Sequence, residues 1–124
     1  MSQTKQRVVV LGASHKAERY SNQAIRLLRE HGHQVIPVHP KLEETEGIPV
    51  ANSLDVIESV VETLTMYIGA DRSNQIADAI LRLRPGRVIF NPGSENPELE
   101  ARLKSANIPF ERACTLVLLR TGQF

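Results

Sequence analysis

Four consecutive apolar residues, Val8 to Leu11, constrain this chain more than any other feature. A strand with one wet face alternates apolar and polar residues. A run without alternation is buried on both faces, as in a parallel sheet covered by helices. Gly12, Ala13 and Ser14 follow at once, and an amphipathic helix begins near Arg19 to Asn22. Strand, small-residue turn and helix bring backbone N–H groups and a helix N-terminus to one spot, which suits an anion such as a phosphate. Gly12 permits a tight turn and close approach of a ligand. Ser14 adds a hydroxyl, and Lys16 and Arg19 add positive charge. Of the dinucleotide pattern G-x-G-x-x-G only the first glycine is present, with Ser14 in place of the second. Alone, such a turn also fits an ordinary strand-to-helix connection. The phosphate reading leans on the rule that open α/β sheets bind ligands at the carboxyl ends of their strands.

The alternation continues along the chain. A helix is expected over Ser21 to His31, with Ala24, Ile25, Leu27 and Leu28 inward, Ser21 and Asn22 as N-cap types and Gly32 as its stop. Gln34 to Val38 reads as the second strand, ending in His39-Pro40-Lys41. An acid at this tip would hydrogen-bond the ribose of NAD. Here the tip is His39, and Lys41 either attracts a ribose phosphate, 3′ in CoA or 2′ in NADP, or is a plain surface lysine. Ile48 to Val50 reads as a packing flap. Ser53 to Asp55 reads as a helix start or extended chain, with Val56, Ile57, Val60 and Val61 available to bury.

Thr63 to Ile68 reads as the third strand, and Tyr67 at its end either covers a nucleotide or packs at an edge. A helix runs from Asp71–Asn74 to about Arg84, and Arg87 to Phe90 is the fourth strand. Asn91-Pro92-Gly93 then opens onto a helix from Pro97 to about Asn107, so the Gly93 loop is expected to face the Gly12 loop across a cleft. A fifth short strand follows Ile108, and Leu116 to Leu119 forms an apolar tail. The pattern is that of an α/β chain: a doubly wound parallel sheet of about five strands in a three-layer α/β/α sandwich, one domain over residues 1–124.

Composition narrows the functions. A net charge of +1 argues against a general nucleic-acid or membrane surface. An aromatic fraction of 4% without Trp argues against base-stacking platforms. The single cysteine, Cys114, allows no intrachain disulfide, which fits a reducing cytosol. Met1 to Gln6 is polar, without an apolar signal core, and no run approaches the roughly 20 residues of a membrane span. A cytoplasmic location is therefore expected. His31-Gly32-His33 has no carboxylate or cysteine cluster beside it and reads as a solvated helix end, not a metal site. Cys114 has Arg112 nearby but no histidine placed as a base, so it reads as a small buried residue, and no catalytic residue is assigned.

Taken together, Val10-Leu-Gly-Ala-Ser14, Arg19-Tyr-Ser-Asn22, Ile36-Pro-Val-His-Pro-Lys41, Gly47-Ile-Pro-Val50 with Ser53-Leu54, Asn91-Pro-Gly93 and Cys114 resemble the small single-domain CoA-binding proteins. Their Rossmann-like fold is similar to the CoA-binding domain of succinyl-CoA synthetase α subunits. The resemblance covers nearly the whole chain. It implies that Gly12, Ala13, Ser14 and Arg19 hold phosphates, with His15 and Lys16 beside them. It implies that Pro40 and Lys41 flank the adenosine end and that Tyr67, Pro92 and Gly93 line the cleft. The chain departs from the family pattern at His15 and over Thr115 to Leu119. The catalytic chemistry of the synthetase, which needs a ligase domain and a phosphohistidine, does not carry over.

Three functions stay in view. The first is a CoA or acyl-CoA binding protein without catalysis of its own. The second is an NAD(P)-binding oxidoreductase or redox-sensor-like domain, disfavoured by the missing glycines and the missing acid. The third is a ligand-free interaction domain, for which Leu116 to Leu119 offers a homodimer surface.

Overall fold

The computed structural model describes residues 5–124, so the first four residues of the polar start lie outside it. In chain order the elements are β1 (Arg7–Leu11), α1 (Tyr20–Glu30), β2 (Gln34–Val38), a two-residue hairpin of β3 (Glu44–Thr45) and β4 (Ile48–Pro49), and a 3-10 turn (Leu54–Val56). Then come β5 (Thr63–Met66), α2 (Ala70–Gln75), α3 (Ala77–Leu83), β6 (Arg87–Phe90), α4 (Pro97–Ser105), β7 (Phe110–Arg112) and α5 (Thr115–Arg120). The main sheet is fully parallel, in the order β2-β1-β5-β6-β7. The chain winds outward from β1 to β2, then crosses to the other side of β1 and continues through β5, β6 and β7. This is the doubly wound Rossmann-like fold.

Alternate residues of β1 face opposite layers. Val8 and Val10 pack with Ala24, Ile25 and Leu28 of α1 and with Leu116 and Leu119 of α5. Val9 and Leu11 pack with Ile80 of α3 and with Leu99 and Leu103 of α4. Both faces of the strand are therefore dry, which explains its unbroken apolar run.

Several expectations change. The apolar tail, whose sequence pattern assigns no secondary structure, forms a helix over Thr115–Arg120. Leu116 and Leu119 are buried in this chain's own core, and Val117 is the half-exposed position left to any partner. Ser21 and Asn22 lie inside the first turn of α1 and are buried, and the N-cap is Arg19, which makes no side-chain cap. Gly32, at φ +86°, does end that helix. The helix expected to run to Arg84 is broken at Ile76. There the Ser73 hydroxyl donates back to Ala70 O (3.2 Å) and Asn96 Nδ2 reaches Ser73 Oγ (2.8 Å), and such insertions bend helices. Val61 is buried, but Val56 and Val60 point to solvent, because the segment makes only one 3-10 turn. Among the described residues no helix is long and apolar enough to cross a membrane.

His33 is also not a solvated helix end. It is buried, and its Nδ1 accepts a hydrogen bond from the Gln6 amide at 3.0 Å. Its ring centroid lies 5.1 Å from that of Phe124, which also carries Arg87 over its face at 4.5 Å. Burial, with the nearby His31 and Arg87 adding to it, lowers the His33 pKa. The folded state therefore binds fewer protons than the unfolded chain just below pH 6.5. Stability is full above that value and is lost as pH falls towards the folded pKa. In His33→Asn, whose amide oxygen can still accept from Gln6, urea melts between pH 7 and 5 should lose most of this slope. Leu119→Ala should cost about 2–5 kcal/mol in the same assay, because α5 then docks on α1 over a cavity.

Candidate ligand-binding crevice

The site lies where the winding reverses, at the carboxyl ends of β1 and β5. Gly12 sits there at φ +93°. A Cβ on it would meet Ile68 Cγ2 at 2.9 Å and the Tyr67 carbonyl oxygen at 3.0 Å. The turn therefore needs glycine both for its backbone angle and for the close approach of the neighbouring strand end. The Gly12 and Ala13 amides both donate to Val38 O, each at 3.1 Å, which ties the loop to the end of β2. These two N–H groups are thus already used. The open donors lie further on. The Ser14 and His15 amides make no hydrogen bond among the described residues, and the first-turn amides of α1, Tyr20 to Asn22, have no side-chain cap.

The loop is held firmly. Ser14 O accepts from Asn22 Nδ2 (2.9 Å) and from Thr45 Oγ1 (3.0 Å), so α1 and the small hairpin clamp it from two sides. Ser14 Oγ accepts from the Lys16 amide at 3.1 Å and keeps its own proton free to donate. At the end of β2, His39 Nδ1 accepts from both the Lys41 and Leu42 amides at 3.0 Å and fixes the turn that carries Lys41.

Together these segments border an open chamber of about 600 Å³. Gly12, Ala13, Ser14, His15, Lys16 and Arg19 line it, and Lys41 and Tyr67 line its other side. Sequence reasoning missed Arg72, which also lines it. It stands on α2, within a stretch legible only as helix-capping residues. Lys16, Arg19, Lys41 and Arg72 give the chamber four cations, its lining includes no carboxylate, and none of the four takes part in an ion pair among the described residues. The net charge of +1 conceals this concentration.

Two smaller chambers adjoin it. One of about 260 Å³ holds Pro40 and is mostly apolar, with Leu54 and Ile76 on its walls; it shares Gly12, Ile68 and Arg72 with the large chamber. The other, about 280 Å³, contains Pro92 and Cys114 and shares Tyr67. Gly93 lines none of the three. The Gly93 loop does not face the Gly12 loop directly, because β5 lies between β1 and β6.

Below Tyr67 runs a buried polar network. Asn91 Nδ2 donates to Thr65 Oγ1 (2.7 Å) and to Met66 O (2.9 Å), and Asn91 Oδ1 accepts from the Thr115 amide (2.8 Å). The Thr65 and Thr115 hydroxyls bond each other at 2.8 Å. The Tyr67 hydroxyl is buried above this pair without a well-formed hydrogen bond to either. Burial pushes its pKa up to about 12, against the opposing influence of the two threonines, so it is a neutral phenol at physiological pH. Replacing Asn91 with Leu would strand the Thr115 amide and Met66 carbonyl. Stability should fall by about 2 kcal/mol or more in urea titration, at about 1–3 kcal/mol per stranded group.

A crevice at the switch point of a doubly wound sheet is where open α/β proteins place their ligands, and here its lining is cationic. Comparison narrows the choice of ligand. The family described as "CoA binding domain" matches residues 6–120, and this chain belongs to it. A crystal structure of an uncharacterized protein is 41% identical, with a TM-score of 0.92 over 98% of this chain and 100% of that one. A Thermus thermophilus protein is 30% identical, with a TM-score of 0.89 over 97% of this chain and 91% of its own. The uncharacterized protein YneT of Bacillus subtilis (strain 168) is 24% identical over 102 residues, 82% of this chain and 76% of its own. Family membership supports CoA as the ligand and gives no support to the nicotinamide alternative.

Proposed function

We propose that this chain binds CoA or an acyl-CoA in the crevice and has no catalytic activity of its own. The observation that carries this reading is the four-cation, carboxylate-free chamber built against an uncapped helix N-terminus. The pyrophosphate would take the Ser14 and His15 amides, the Ser14 hydroxyl and the first turn of α1, with Lys16 and Arg19 balancing its charge. Adenosine would lie towards Pro40, in the mostly apolar chamber beside it. Lys41 and Arg72 stand between the two, where a ribose 3′-phosphate would fall. The one carboxylate that lines the Pro40 chamber, Asp55, is paired with Arg82, whereas Lys41 and Arg72 take part in no ion pair among the described residues.

Catalysis is not part of this reading. The residues that line the chamber with Cys114 include no histidine or carboxylate, and the Asn91 network is occupied with holding α5 in place. A homodimer through α5 would rest on Val117, since Leu116 and Leu119 face inward.

Calorimetric titration of CoA and of dephospho-CoA tests the assignment. Wild-type protein should bind CoA more tightly than the dephospho form. Lys41→Ala should lose about tenfold in CoA affinity, as befits one charge-assisted contact. The same variant should leave dephospho-CoA unchanged. Equal losses for both ligands would remove Lys41 from the ribose phosphate, and NADH binding more tightly than CoA would overturn the reading as a whole.

A further inference from the structure

The chamber beyond Tyr67 has a chemistry of its own. At about 280 Å³ it is smaller than the roughly 300–1,000 Å³ of a complete ligand pocket, so it suits one end of a larger molecule. It shares Tyr67 with the cationic chamber, which in turn shares Gly12, Ile68 and Arg72 with the chamber at Pro40. The three therefore lie in a row. CoA is likewise linear: adenosine, phosphates, then the arm that ends in the thiol. With adenosine at Pro40 and phosphates in the middle, the third chamber receives the thiol end and its acyl group. This step rests on the CoA reading above.

The walls then narrow the acyl group. Tyr20, Tyr67, Pro92, Leu116 and the free, partly buried Cys114 supply mostly apolar surface. The Asn91 side chain is committed to Thr65, Met66 and the Thr115 amide. The Tyr67 hydroxyl is buried, so its ring is what the chamber meets. Arg120 is the one charged side chain in this lining. It stands one helical turn after Leu116, on the same face of α5, and it is exposed. It takes part in no ion pair among the described residues. A plain alkyl chain would have no use for a guanidinium at the edge of an apolar wall, whereas a carboxylate would pair with it through two parallel hydrogen bonds. We propose that this chamber holds a short acyl group ending in a carboxylate, and that Arg120 is the residue that selects it.

Butyryl-CoA and succinyl-CoA are a matched pair for the test, because they differ only in a terminal methyl against a terminal carboxylate. Calorimetric titration should show succinyl-CoA binding about tenfold tighter than butyryl-CoA to wild-type protein. Arg120→Gln, a surface change that leaves the core intact, should bring the two within about twofold and leave free CoA unaffected. Equal affinities in wild-type protein, or a preference that survives Arg120→Gln, would overturn the proposal while the CoA reading stands. Failure of all three ligands to bind, free CoA included, would overturn the CoA reading and this proposal with it.

Discussion

The structure depends on the contact where β1 ends against β5. Gly12 turns at a left-handed backbone angle with Ile68 and the Tyr67 carbonyl packed where a side chain would otherwise project. The next residue's amide joins that of Gly12 on Val38 O, so one short turn fixes the ends of β2, β1 and β5 relative to each other. The crevice is what remains between these three ends. Its shape is thus set by backbone packing, and its chemistry by the side chains that the following loops add.

Much of this was legible in the sequence, for definable reasons. Val8 to Leu11 could be read because burial on both faces removes alternation. The place of Gly12 to Arg19 beside a crevice could be read because a buried parallel strand that ends in small residues before a helix puts its loop at the carboxyl edge of the sheet. The features that escaped depend on contacts distant in sequence. The helix at 115–120 is only six residues long, with no capping side chain of its own, and its first amide is held by Asn91, 24 residues earlier. Arg72 reaches the crevice only because α2 follows the adjoining strand. His33 is buried because the chain's two ends close around it, with Gln6 on one side and Phe124 on the other. The fate of the Gly12 and Ala13 amides was likewise invisible, since their acceptor lies in the next strand.

The polar groups at the carboxyl edge divide into two kinds. The Thr65–Asn91–Thr115 network is buried and mutually satisfied, which makes it part of the scaffold. The four cations of the crevice are exposed, outside any ion pair among the described residues, and carried on loops and helix starts. Tyr67 stands between the two kinds. Its ring borders two chambers, and its buried hydroxyl lies over the network without a firm partner.

The double clamp on Ser14 O has a kinetic consequence. With α1 and the hairpin both holding that carbonyl, the loop's open amides already stand where an anion would meet them. A ligand arriving at such a loop has little chain to order, so the entropic cost of capture falls mostly on the ligand. For the anionic ligand proposed here, encounter would then be governed by attraction to the clustered cations. Its rate would respond to ionic strength more than to any rearrangement of the protein.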